Sequence, residues 1–162
     1  MPQILHAIAA TIVIVAGFTA PALAQDENER EYLTGLREVN VFVDDLAPDA
    51  EAAGLTRDGI EAAVEARLRE RRVPRGRSQL AGDLYVRVAT HQGTTGLYAY
   101  FARVSLQQLV TIEGNQERAF VDTWDLDSLG TVGTANLPQV QRVVLQIVDA
   151  FIDDYFSVND PR

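Results

Sequence analysis

The chain has 162 residues and a formal net charge of −9, with 23 Asp and Glu against 14 basic residues, all of them Arg. It has no Cys, one Trp and two His. The acidic balance opposes binding to nucleic acid. The lack of Lys excludes a Schiff base or a phosphate-loop Lys, and the lack of Cys excludes disulfides and leaves little for structural zinc.

Ile4 to Phe18 is almost wholly apolar, and Ala22-Leu23-Ala24 supplies a small-x-small cleavage signal. Residues 1–24 therefore read as a secretory signal peptide cut after Ala24, although only His6 and the terminal amine stand in for its basic start. The apolar run is shorter than the roughly 20 residues of a spanning helix, and Pro21 interrupts its end. Without Cys, a lipid-modified N-terminus is excluded. The expectation is an exported chain, periplasmic or extracellular, with no membrane span after cleavage. Residues 25–34, opening QDENERE, read as a flexible acidic leader.

Residues 35–162 suffice for one domain with one core. LREVNVFVDDL alternates Val39, Val41 and Val43 against Asn40 and Asp44, which predicts a strand over about 36–45. APDAEAAG reads as a loop. LTRDGIEAAVEARLRERRV predicts a helix, with Thr56 as N-cap and Leu55 and Ile60 as a hydrophobic staple. Its apolar stripe is Ile60, Val64 and Leu68, and Pro74 stops it.

Leu84 to His91 then alternates as a strand. Leu97 to Ile112 is strand-like for so long that a bend or bulge is expected near Gln107-Gln108. Arg118 to Leu126 completes an antiparallel meander. A last helix runs from about Pro138 to Phe156, with Asn136 as its cap and Val140, Val144, Ile147, Val148, Phe151, Ile152 and Tyr155 on its apolar face. The order β-α-β-β-β-α predicts an α+β two-layer sandwich, a mainly antiparallel four-stranded sheet with two helices on one face.

In this order, GLTRDGIEAAVEARLRE, LYVRV, GLYAYFARVSLQQ, DTWDLDSLGTVG and FIDDYFSVN resemble a group of small exported bacterial proteins with no assigned activity. The element order is also similar to two-layer domains of periplasmic envelope accessory proteins, a fold-level likeness. The resemblance implies an exported domain and assigns no catalytic residue.

Three segments could carry function. The first is DTWDLDSLGTVG, with Asp122, Trp124, Asp125, Asp127, Gly130 and Gly133 as a candidate ligand or partner loop. Carboxylates suit calcium, but an EF-hand register from Asp125 puts Leu129 at position five and Asn136 at position twelve. A register from Thr123 loses the first ligand and places Ser128 at the glycine position. GTVG fits neither the dinucleotide fingerprint nor the phosphate-loop pattern. The plainer reading is a strand end, a Gly-rich connection and a capped helix start, with Asp122 on the opposite face from Asp125 and Trp124 in or beside the core.

The second segment is the Arg cluster Arg67, Arg69, Arg71, Arg72, Arg75 and Arg77, a candidate patch for an anionic partner or lipid headgroups. Its plainer reading is a solvated helix end that complements the macrodipole, with Glu65 and Arg69 paired. The third is GLYAYFARV, with Tyr98 and Tyr100 on one sheet face, Leu97, Ala99 and Phe101 on the other, and one row exposed.

No G-x-S-x-G occurs, since Ser128 has Leu126 and Gly130 two residues to either side. His91 is the only His after residue 24. Expected, then, is an exported soluble non-catalytic domain that acts through protein or cell-envelope contacts, with no catalytic residue, cofactor or metal. The alternative is a small-ligand or cation-binding module on the Asp122–Asn136 loop. A weaker alternative is a hydrolase built on paired carboxylates.

Overall fold

The computed structural model describes residues 27–76 and 81–159. The proposed signal segment and Arg77 lie outside these ranges. Elements follow in the order α1 (Glu27–Glu31), β1 (Val39–Val43), α2 (Pro48–Ala52), α3 (Arg57–Glu70), β2 (Gly82–Gln92), β3 (Leu97–Thr111), β4 (Arg118–Gly133) and α4 (Val140–Val158). A 3-10 turn over Thr134–Gln139 leads into α4.

The fold is α+β, built on one four-stranded mixed sheet in the order β1-β2-β3-β4. β1 pairs parallel with β2, whereas β2 with β3 and β3 with β4 are antiparallel. The long connection that a parallel pair requires is supplied by α2 and α3. The sequence predicts two helices and the described residues contain four, because α1 and α2 have five residues each and show no helical period.

α3 starts where its sequence dictates: the Thr56 side chain accepts from the Gly59 N–H at 3.2 Å. Ile60, Val64 and Leu68 form its buried stripe. α4 buries Val144, Ile147, Val148, Phe151 and Ile152 against the same sheet face. From the strands this core receives Leu84, Val86 and Val88, then Ala102, Val104 and Leu106, then Trp124 and Leu126. Trp124 meets Phe151 edge to face at 5.2 Å between ring centroids.

Several boundaries differ from the sequence expectation. Within the stretch expected to be a loose leader, Glu27–Glu31 is helical and Leu33 is fully buried. Asn136 is no helix cap: its side-chain oxygen accepts from Gln139 Nε2 at 2.9 Å, and the 3-10 turn runs directly into α4. Glu65 pairs with Arg75 rather than Arg69.

The largest difference is β4, which continues seven residues past Leu126 and pairs with β3 as far as Gly133 opposite Leu97. Within this strand position 130 suits glycine because the Tyr100 ring crowds the place of a Cβ, with the hydroxyl 2.6 Å from that position.

An irregularity lies close to the expected place, between Leu106 and Gln107, but the extra residue is on β4 and not on the long strand β3 whose length predicted it. Leu106 pairs with Trp124 and Gln107 with Asp122, so Thr123 is the extra residue. Its hydroxyl bonds Gln108 Oε1 at 2.6 Å. The consequence is a change of parity. Asp122 and Asp125 would face opposite ways on a regular strand; here both join the face that carries Arg103.

Candidate functional site

With the helices on one side, the other face of the sheet is open. The register across it aligns Phe42 with Tyr85, Tyr85 with Ser105, Arg87 with Arg103, and Ser105 with Asp125. Two guanidinium groups thus stand side by side on adjacent strands, an arrangement that costs free energy unless the charges are compensated.

Acidic residues on the flanking strands compensate them. Arg87 Nε donates to Asp44 Oδ2 at 2.7 Å. Arg103 Nη2 lies 3.0 Å from Asp122 and 3.2 Å from Asp125. The Asp44 hydrogen bond, reinforced by its charge, raises Arg87 further above the ordinary guanidinium pKa. These charges border a shallow pocket of about 250 Å³, also lined by Tyr85, Ser105 and Gln107. Ser105 is only 6% exposed although it lies on the open face. Phe42 stacks on Tyr85 at 5.1 Å and 20°, backing the ring that lines the pocket.

Farther along the same face the character turns apolar. Phe101 pairs with Ala89 on one side and Leu129 on the other. Leu129 is 78% exposed and Leu97 49%. The open-face row is therefore Leu97, Ala99 and Phe101, with Leu97 and Ala99 exposed and Phe101 half-buried, while Tyr98 is buried and Tyr100 half-buried on the helix side.

The candidate loop Asp122–Gly133 is thus a strand. Asp122 and Asp125 share Arg103, which occupies the position a cation would need. Asp127 is exposed on this face opposite Arg103. Gly130 and Gly133 are strand-paired, so their backbone amides lie in the plane of the sheet while the aspartate side chains project from its face. Among the described residues, no group of three or more His, Cys, Asp or Glu is placed to hold a metal.

Trp124 is fully buried, and its Nε1–H donates to Asp154 Oδ2 at 3.0 Å. Asp154 also accepts from Arg30 Nε at 2.8 Å. Sequence reasoning passed over Asp154; its one available signal was that a buried indole N–H demands an acceptor.

The Arg cluster is divided. Arg67 binds Asp149, whose hydrogen bond and charge raise the Arg67 pKa. Arg71 binds Asp153 at 2.6 Å and Arg75 binds Glu65. These pairs join α3 to α4 or close the end of α3, while Arg69 and Arg72 are exposed. His91 lies in β2 beside Ala99, also exposed.

Arg87, Arg103, Asp44, Tyr85, Ser105 and Gln107 come from separate strands and the end of β1, spaced without a motif, and only the sheet register brings them together. No helix among the described residues is long and apolar enough to cross a membrane.

No family model and no curated protein matches the chain. Among solved structures, a minor lipoprotein from Acinetobacter baumannii is similar over 73% of this chain and 87% of its own, at 14% identity and a TM-score of 0.29. A likeness that low carries no argument about fold or function.

Proposed function

We propose that the protein is an exported, non-catalytic domain that works by contact with another protein through the open face of its sheet. The observation that carries this is the apolar end of that face, where Leu97 and Leu129 are exposed beside the half-buried Phe101, at the edge strand β4. Export rests on the apolar segment and the Ala22-Leu23-Ala24 signal. A photo-crosslinking residue placed at Leu129 in the exporting cell should give one discrete protein adduct. The same residue at Asp58, exposed at the start of α3, should give none. Equal labelling at both positions, or none at Leu129, would overturn the reading.

A second reading, a ligand-binding module, gains from the pocket beside Asp122. Its site is the strand-built pocket on the open face rather than a metal-binding loop. Carboxylate-based hydrolysis gains nothing comparable: Asp44 and Asp122 are each held by an Arg, an arrangement suited to fixed hydrogen bonding rather than proton transfer.

A further inference from the structure

We infer that the open-face pocket binds a neutral pyranose sugar, one ring of a glycan, with Tyr85, backed by Phe42, as its platform and the two Arg–Asp pairs as its hydroxyl-binding groups. The inference rests on the ligand-module reading and narrows it to a ligand class.

Charge makes the first selection. The pocket lining carries two Arg and two Asp, and Asp125 also sits on Arg103, so each guanidinium is already compensated and the cluster is close to neutral within a chain of −9. An anion drawn to Arg87 or Arg103 meets Asp44 and Asp122, and a cation drawn to the aspartates meets the guanidinium groups. A neutral ligand meets neither penalty.

Hydrogen-bonding chemistry makes the second. A sugar hydroxyl both donates and accepts, so it is best satisfied where a donor and an acceptor stand together. Each ion pair provides that combination: Arg87 with Asp44 at 2.7 Å, and Arg103 with Asp122 at 3.0 Å. Each partner also holds the other in place, so less side-chain freedom is lost when a ligand arrives. Tyr85, Ser105 and Gln107 add polar groups that make no side-chain hydrogen bond to another described residue.

Shape makes the third. Tyr85 lines the pocket, and Phe42, 43% exposed, stacks on one face of its ring and holds that ring in place. The C–H face of a pyranose is flat and apolar, and would lie against the Tyr85 ring while its hydroxyl edge meets the charged pairs. At about 250 Å³ the pocket is smaller than the ~300–1,000 Å³ typical of drug-sized ligands, which suits one ring with the rest of the glycan in solvent.

The test is a backbone-amide NMR titration of the exported protein with maltotriose, cellotriose and chitotriose in turn, and with inorganic phosphate and spermidine as charged probes. At least one saccharide should give saturable shifts at Tyr85, Arg87, Arg103 and Ser105, with affinity on the order of millimolar. Gln107→Ala leaves both ion pairs intact and should weaken binding about tenfold, as should Tyr85→Ala. Leu129→Asp, on the apolar end of the same face, should leave binding unchanged. Saccharide shifts that survive both pocket substitutions would place the site elsewhere and overturn the inference. Phosphate or spermidine acting at these residues in place of any sugar would overturn the sugar class and retain a ligand pocket. Silence from all five probes would overturn both.

Discussion

Trp124 has one polar atom, its indole N–H, and burial obliges that atom to find an acceptor. Asp154 supplies it, and its second oxygen is satisfied by Arg30. Asp154→Ala should leave the indole unpaired inside the core and cost about 2–4 kcal/mol in urea denaturation. Asp154→Asn keeps an acceptor for Trp124 and should cost less. Equal losses would mean that the charge facing Arg30, rather than the indole bond, is what matters. Tyr98 permits a prediction of the opposite kind, since burial raises its phenol pKa above the ordinary value near 10. The unfolded phenol therefore loses its proton first as pH rises. Above about pH 10 the native state holds more protons than the unfolded one, so stability falls with further rise in pH. Tyr98→Phe should flatten that alkaline decline while leaving stability near neutrality nearly unchanged, because the Tyr98 hydroxyl makes only a 3.5 Å contact to the Asp49 carbonyl.

At the scale of elements, periodicity shows what has a period. The alternation of Leu84, Val86 and Val88 and the spacing of Ile60, Val64 and Leu68 were legible because each sends one chemical type to one face. α2 was not, since five residues hold little more than one turn. The extension of β4 was hidden because Gly130 and Gly133 read as a flexible connection. In the folded chain Gly130 is needed for the opposite reason, to admit the Tyr100 ring packed across from it. Gly130→Ala must move that ring, and should cost about 1–3 kcal/mol by thermal or urea denaturation. Tyr100→Ala in the Gly130→Ala background should recover part of the loss, and absence of any coupling would show that the ring does not constrain the strand. The pocket was illegible for a deeper reason. Whether Asp122 faces Arg103 depends on a single unpaired residue, Thr123; the length of Leu97–Ile112 predicts a bulge in that strand and does not show that the extra residue lies on its partner.

At the scale of the whole molecule, the described N-terminal segment is built into the far end of the chain. Leu33 is fully buried, Arg30 reaches Asp154, and Asn159 accepts from the Gly35 N–H while donating to the carbonyls of Leu33 and Tyr155. α1 also reaches the edge of β4, where the Asp125 N–H donates to Glu29 at 3.4 Å. Removal of Glu27 to Leu33 should therefore act as a core mutation. The burial of Leu33 contributes up to about 2 kcal/mol and the loss of the Arg30 bond about 1 more, the latter kept low because Arg30 is 46% exposed. The urea midpoint should fall accordingly, with little change in slope. Asn159→Ala alone should cost about 1–2 kcal/mol, since it removes hydrogen bonds that join the two segments. If Asn159 acts mainly by holding the first segment against α4, the truncation removes most of what the substitution would remove, and the double variant should lose clearly less than the sum of the single losses. Strict additivity would instead assign Asn159 to the end of α4 alone, through its bond to Tyr155, and the first segment would then be held by Leu33 and Arg30 without it.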